Sequence, residues 1–120
     1  MSDLVEFLLA RIAEDEEAAR AAVDQGTPRW AVGGGGEYVH PDPPPGNSYV
    51  ATGPWGGGLG PAADHIARHD PARVLAECEA KRRIVEWMSA WQQDVAVEGL
   101  RLVALPYADH PDYRDEWRVG

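Results

Sequence analysis

The chain has 120 residues, a formal net charge of −9 at pH 7, 44% hydrophobic residues and 26% charged residues. Such a composition excludes wholesale disorder and is typical of one globular domain with its own core. The acidic balance excludes a general nucleic-acid coat, which needs a basic surface.

Neither membrane spans nor export signals are expected from the sequence. No apolar run reaches the roughly 18 residues of a membrane span, and the N-terminus is acidic and amphipathic. A lone cysteine, Cys78, cannot form an intrachain disulfide. We therefore expect a cytoplasmic protein without membrane partners.

The first predicted element is an amphipathic helix over residues 3–24. Asp3 and Glu6 have capping-box spacing, and Gly26 and Pro28 supply the stop. Apolar residues recur at helical spacing at Leu4, Val5, Leu8, Leu9, Ile12, Ala19 and Val23. The acidic run at 14–17 is most simply a solvated face.

A Gly/Pro-rich segment follows, and we expect it to be mobile over residues 33–60. Three β-prone pieces lie near it, at residues 29–32, 37–40 and 48–52. The glycine run 33–36 predicts a loose hairpin between the first two. The pattern indicates a small antiparallel sheet of two or three strands with helices packed on one face.

Proline marks the start of each of the next two helices. Pro61 suits the first turn of a helix that ends near His69, because Pro71 disfavours the α region at Asp70. Asp70 is then the N-cap of a helix over residues 71–96, with Gly99 as a plausible stop. Residues 97–105 are interpreted as a fourth helix, with a strand through 100–105 as the alternative. The predicted fold class is α+β, in a single domain of residues 1–120.

The apolar residues of the long predicted helix do not form one stripe. One stripe holds Val74, Leu75, Cys78 and Val85. A second, rotated by roughly 100°, holds Ile84, Trp87, Met88, Trp91 and Val95. One core needs one stripe, so the second predicts an interface, most simply that of a twofold dimer. The alternative is that the last helix covers it through Leu100 and Val103.

A second candidate site is the glycine-rich loop 52–60 before Pro61. A loop feeding a helix N-terminus exposes backbone N–H groups and the positive end of the helix dipole, which suits an anion. The spacing matches neither a Walker A loop nor a dinucleotide fingerprint, and a flexible connector is the simpler interpretation. The ligand-binding residues of this hypothesis are Trp30, Trp55, Gly57, Gly58, His65, Arg68 and Arg73.

Metal binding and catalysis are the less favoured hypotheses. His65 and His69 have the i, i+4 spacing of paired metal ligands, but Cys78 or His110 would have to complete the site. Hydrogen bonding at the helix junction is the simpler interpretation, and no cofactor is predicted. No Ser-His-Asp order, nucleophile elbow or carboxylate pair is present, so an enzyme is the least supported class.

Three segments resemble a known family: residues 3–8 (DLVEFL), 65–77 (HIARHDPARVLAE) and 105–114 (LPYADHPDYR). The chain is similar to a family of small actinobacterial and actinophage proteins known as a domain of unknown function. A looser likeness, through TPRW at 27–30, extends to phage early proteins of the Ead type. The resemblance implies a phage or prophage accessory protein and supplies no catalytic residues.

These observations favour a non-enzymatic protein-interaction module that acts as an oligomer. The alternative is a small-ligand binder that sequesters an anionic, nucleotide-like host signal at residues 53–73. The expected partners are therefore a second copy, another protein or an anionic small molecule.

Overall fold

The computed structural model describes residues 2–23, 27–43, 48–53, 57–91 and 93–119. It confirms the predicted α+β class, with four helices and a three-stranded antiparallel sheet in the order β1-β2-β3. The helices are α1 Ser2–Val23, α2 Pro61–Arg68, α3 Pro71–Ser89 and α4 Asp94–Ala104, and the strands are β1 Trp30–Gly33, β2 Tyr38–Pro41 and β3 Ala51–Thr52. Single 3-10 turns follow at Leu105–Tyr107 and Asp115–Trp117.

Contacts divide the chain into two compact units, with boundaries inside α1 and α3. The first unit joins Met1–Asp15 to Glu77–Gly120, and the second is Glu16–Ala76. The first unit therefore joins the two ends of the chain, whereas the second is one continuous segment that contains the sheet.

The second unit contains the sheet and α2. Strands β1 and β2 form the predicted hairpin, with Gly33 opposite Tyr38 and Trp30 opposite Pro41. Residues 34–36 all have positive φ, and Glu37 N donates to the Gly33 carbonyl at 3.1 Å. Glycine adopts positive φ without the Cβ clash of other residues, so the glycine run permits this turn. Strand β3 is shorter than predicted, and α2 packs against β1 and β2.

Residues 44–47 and 54–56, which belong to the segment predicted to be mobile, lie outside the described residues, as do 24–26 and Gln92.

The junction of α2 and α3 has the predicted cap. Asp70 Oδ1 accepts the Arg73 N–H at 2.9 Å, as an N-cap does, and Asp70 Oδ2 accepts the Trp30 N–H at 3.2 Å. The Ala72 N–H donates to the Pro28 carbonyl at 2.9 Å. Asp70 therefore starts α3 and ties it to the beginning of β1.

The first unit holds most of the buried apolar side chains among the described residues. Its largest fully buried side chains are Leu8, Ile12, Cys78, Val85 and Leu100. In the C-terminal tail, Trp117 is buried against Phe7 with ring centroids 5.0 Å apart, and Arg114 pairs with Asp3 at 2.9 Å. Trp117 therefore holds the 3-10 turn Asp115–Trp117 against α1.

Two predicted helix boundaries are wrong. Helix α3 ends at Ser89 rather than near residue 96, and α4 begins at Asp94 rather than at residue 97. The Ser89 hydroxyl donates to the Glu86 carbonyl at 2.8 Å, which satisfies an acceptor that the helix leaves open at its end. Gly99, predicted to be the stop, lies inside α4. The 97–105 region is helical, which decides against the strand alternative.

Candidate functional site

The strongest candidate site is an exposed apolar surface on α3 and α4 in the first unit. The exposed fractions are 38% for Ile84, 60% for Trp87, 48% for Trp91, 80% for Val95 and 55% for Leu102. Met88 is half-buried among them. We call these six residues the α3–α4 surface. Large apolar side chains exposed together are typical of interaction sites.

A close contact between the two helices joins the parts of this surface. The Met88 side chain lies over Gly99, where an added Cβ would come within 2.6 Å of the Met88 Sδ and Cε atoms. Val95 and Leu102 flank Gly99 at i−4 and i+3 on α4, so they share its side of the helix. Ile84 lies at i−4 from Met88 on α3, and the Trp91 N–H, in the connection after α3, donates to the Met88 carbonyl at 3.0 Å. The apolar side chains of α3 and α4 therefore meet at the Met88–Gly99 contact.

The structure leaves four of the five predicted interface residues exposed and Met88 half-buried, although they do not form one stripe on one helix. Ile84, Trp87 and Met88 belong to α3, Trp91 to the connection, and Val95 to α4. Leu100 is fully buried, yet α4 leaves Ile84 and Trp87 exposed, so the covering alternative is not what the structure shows. Leu102 was not among the predicted interface residues, although its i+7 spacing from Val95 indicates that both lie on the same face of a helix.

Charge is balanced around the α3–α4 surface, unlike in the rest of the chain. Between Cys78 and Ala108 the sequence has four basic and four acidic residues, so the formal charge of −9 belongs entirely to the other residues. The charged residues of this segment are Lys81, Arg82, Arg83, Arg101, Glu79, Glu86, Asp94 and Glu98. A second copy of the chain can therefore approach here with less repulsion than elsewhere.

The glycine loop before α2 offers fewer free backbone donors than the anion hypothesis needs. The Leu59 N–H donates to the Glu37 carbonyl at 3.3 Å, and the Gly60 N–H donates to the Gly36 carbonyl at 2.9 Å. Pro61 has no N–H. Gly57 and Gly58 are exposed in this loop, whereas Trp55 lies outside the described residues.

The side chains of the same hypothesis are only partly brought together. Arg68 and Arg73 are both exposed, and the Arg73 Nη1 atom lies 3.5 Å from the Arg68 carbonyl oxygen. Trp30 instead lines an open cleft of about 440 Å³, together with Ala22, Thr27, Pro41, Ser48, Tyr49 and Val50. No basic side chain is among these lining residues, so this cleft is not matched to an anion.

The two histidines of the metal hypothesis lie side by side. The ring centroids of His65 and His69 are 4.4 Å apart, and the His69 Nδ1 atom is 2.7 Å from the His65 carbonyl oxygen. This bond is the helix-junction hydrogen bond that the simpler interpretation expected. Within the described ranges, no group of three or more His, Cys, Asp or Glu side chains could hold a metal ion. Cys78 is buried, and His110 Nδ1 accepts the Asp112 N–H at 3.0 Å.

A strongly perturbed tyrosine lies in the first unit. Burial, together with a 2.8 Å hydrogen bond from its hydroxyl to Asp15 Oδ2, raises the pKa of Tyr107. Lys81 Nζ lies 3.4 Å from the same hydroxyl. Perturbed pKa values often mark active sites. A raised pKa keeps the Tyr107 hydroxyl protonated, so it is a hydrogen-bond donor to Asp15 and not a base.

Replacing Tyr107 with phenylalanine is expected to lower the free energy of unfolding by about 1–2 kcal/mol, because Asp15 loses its donor. Tyr113→Phe is the control, since the Tyr113 hydroxyl makes no hydrogen bond to another described residue, and we expect a loss below about 0.5 kcal/mol. Denaturant unfolding followed by circular dichroism measures both. Equal losses in the two variants would contradict the structural role of the Tyr107 hydroxyl.

Because the pKa of Tyr107 is raised, the contribution of its hydroxyl to the free energy of unfolding depends on pH. Above the ordinary value of 10.0, the unfolded chain releases the Tyr107 proton while the folded chain retains it. Stability from this group is therefore fully present below pH 10.0 and falls as the pH rises further. Tyr107→Phe should lose this part of the alkaline dependence.

Comparison with protein families gives one match. Residues 1–119 match the model of a family described as a family of unknown function, DUF6221. Searches of curated proteins and of solved structures found no significant match. Among the described residues, no helix is long and apolar enough to cross a membrane.

Proposed function

The chain belongs to the DUF6221 family, and because that family has no known function, we propose one from the chain's own surface. We propose that the protein is a non-enzymatic interaction module that forms a twofold homodimer through the α3–α4 surface. The observation that carries the proposal is the exposure of Trp87, Trp91 and Val95 around the Met88–Gly99 contact.

The residues of this surface suit an interface centre. Tryptophan is the residue most enriched among those that dominate binding energy, and methionine is also enriched at interfaces. The rings of Trp87 and Trp91 contact each other edge to face, with centroids 5.5 Å apart. Paired aromatic side chains restrict each other's rotamers, which lowers the entropy cost of ordering them on binding.

The charges near the surface support a second copy as the partner. Arg83 pairs with Glu79 at 2.8 Å, and Arg101 pairs with Glu98 at 3.7 Å, so each helix carries both signs. A twofold interface brings each residue to the same patch of the other copy. When the helices of the two copies pack antiparallel, the basic residues of one copy can therefore lie near the acidic residues of the other.

Sedimentation velocity from about 1 to 100 μM is the direct test, since dimer interfaces of this kind bind in the micromolar range or tighter. We expect a species of twice 13.1 kDa. Trp87→Glu should weaken the dimer at least tenfold, because it places an unpaired charge at the interface centre.

Tyr49→Glu is the matched control, because Tyr49 is an equally exposed aromatic residue of the second unit. It should leave the dimer within about twofold of the parent, as a residue outside the interface. A 13.1 kDa species at every concentration would contradict the dimer.

The biological setting is a separate part of the proposal. Resemblance of residues 3–8, 65–77 and 105–114 to actinobacterial and phage proteins supports a role as a phage or prophage accessory protein in the cytoplasm. Sequestration of a nucleotide-like anion remains the alternative. Calorimetry with mono-, di- and cyclic nucleotides tests it, with Arg68→Ala and Arg73→Ala as variants that should bind less.

A further inference from the structure

We propose that His65 and His69 form a two-nitrogen chelate at the end of α2 for one divalent ion of the imidazole-preferring metals, Cu²⁺, Ni²⁺ or Zn²⁺. Both side chains are exposed, and their rings lie 4.4 Å apart between centroids, tilted by 38°. The chelate is independent of the proposed dimer, because the two histidines lie in the second unit and the α3–α4 surface lies in the first.

The hydrogen bond of His69 prepares its other nitrogen for a metal. Its Nδ1 atom lies 2.7 Å from the His65 carbonyl oxygen, and a carbonyl can only accept, so Nδ1 carries the proton. The Nε2 atom, on the other side of the ring, then presents a lone pair. Metal-binding histidines usually donate their second ring N–H in this way, because the bond holds the ring and its tautomer.

His65 completes the pair without having to break another bond. Its ring makes no hydrogen bond to any other residue that the structure describes. Two nitrogens bound to one ion at about 2.0–2.1 Å lie at most about 4.2 Å apart. The ring centroids, 4.4 Å apart, are close enough for one nitrogen of each ring to meet this limit.

The surroundings decide which metals fit. A carboxylate adjoins each histidine in the sequence, Asp64 before His65 and Asp70 after His69. Asp70 already accepts the Arg73 and Trp30 N–H groups. No third His, Cys, Asp or Glu joins a metal-binding group in the described part of the chain. Two imidazoles without a carboxylate favour Cu²⁺, Ni²⁺ and Zn²⁺ over Mg²⁺ and Ca²⁺, which prefer oxygen ligands. Water, or a donor from a binding partner, completes the coordination.

Calorimetry of the tag-free full chain with the chloride salts of Cu²⁺, Ni²⁺, Zn²⁺ and Mg²⁺ tests the proposal. We expect one bound ion per chain, with Cu²⁺ tightest and Mg²⁺ not bound. His65→Ala and His69→Ala should each weaken Ni²⁺ binding by about tenfold or more. His40→Ala and His110→Ala are matched controls and should remain within about twofold, since each of these histidines lacks a histidine one helical turn away.

A second readout identifies the ligands directly. Substoichiometric Cu²⁺ should broaden the ring-proton NMR signals of His65 and His69 before those of His40 and His110. Circular dichroism of the alanine variants confirms that α2 remains folded. Absence of saturable Ni²⁺ binding, equal weakening in the His40 or His110 variants, or a stoichiometry other than one ion per chain would overturn the chelate.

Discussion

Leu100→Ala should lower the free energy of unfolding by about 2–5 kcal/mol, the usual cost of truncating a buried leucine. Leu100 is fully buried on α4 in the first unit, where Leu8, Ile12 and Val85 are also fully buried. The loss combines the transfer of the missing methyl groups with the cavity that remains, because a close-packed core relaxes only in part. Urea unfolding followed by circular dichroism gives the value.

Leu105→Ala is the matched control for this prediction. Leu105 follows α4 directly, is 48% exposed and is not part of the α3–α4 surface. The same chemical change there should cost less than about 1 kcal/mol, because little apolar surface leaves a packed environment. If the two variants lose equal stability, the burial assigned to Leu100 is wrong.

Gly53→Ala is expected to destabilise the protein by about 1–3 kcal/mol or more, as overpacking does. Gly53 is buried, and a Cβ at this position would overlap the Gly57 carbonyl oxygen. The obstructing atom belongs to the backbone, so no side-chain rotation relieves the clash and the loop must move. Thermal unfolding measures the effect.

Gly58→Ala provides the control within the same loop. Its Cβ would make only ordinary contacts, with the nearest atom, Glu37 Cα, at 3.5 Å. We expect a neutral effect or a gain of about 0.4–1 kcal/mol, because alanine restricts the unfolded chain more than glycine. A loss at Gly58 equal to that at Gly53 would show that the loop needs flexible glycines and not the space at Gly53.

Much of the secondary structure could be predicted because its signals are local. The proline positions predicted the starts of α2 and α3, and the N-cap role of Asp70 followed from its place before Pro71. The glycine run predicted the hairpin turn. In each case the backbone conformation depends mainly on the residue itself and its neighbours in sequence.

The break between α3 and α4 could not be predicted in this way. Gly99 has the residue type of a helix stop, yet it lies within α4, where the missing Cβ leaves room for Met88. That role depends on a neighbouring helix, about which local sequence carries no information. The same error placed Val95 on α3 and omitted Leu102 from the predicted interface.

The candidate sites show the same difference between features set by local sequence and features set by tertiary packing. The i, i+4 spacing identified His65 and His69, because His65 lies in the last turn of α2 and His69 is its C-cap, so helix geometry sets their separation. The loop donors near Pro61 were assumed to be free, but Leu59 and Gly60 donate to the turn at residues 36–37. Only the packing of the loop against the hairpin reveals this competition.

The sequence by itself determined the α+β class, the order of the elements, the N-cap Asp70 and the glycine turn of the hairpin. These features follow from backbone sterics and from periodicity, which act over a few residues. Tertiary structure alone decided which apolar side chains are buried and which are exposed. Val85 and Ile84 are adjacent and equally apolar, yet Val85 is fully buried and Ile84 is 38% exposed. The difference arises because burial depends on which elements pack against each face, and the hydrophobic effect responds to that area.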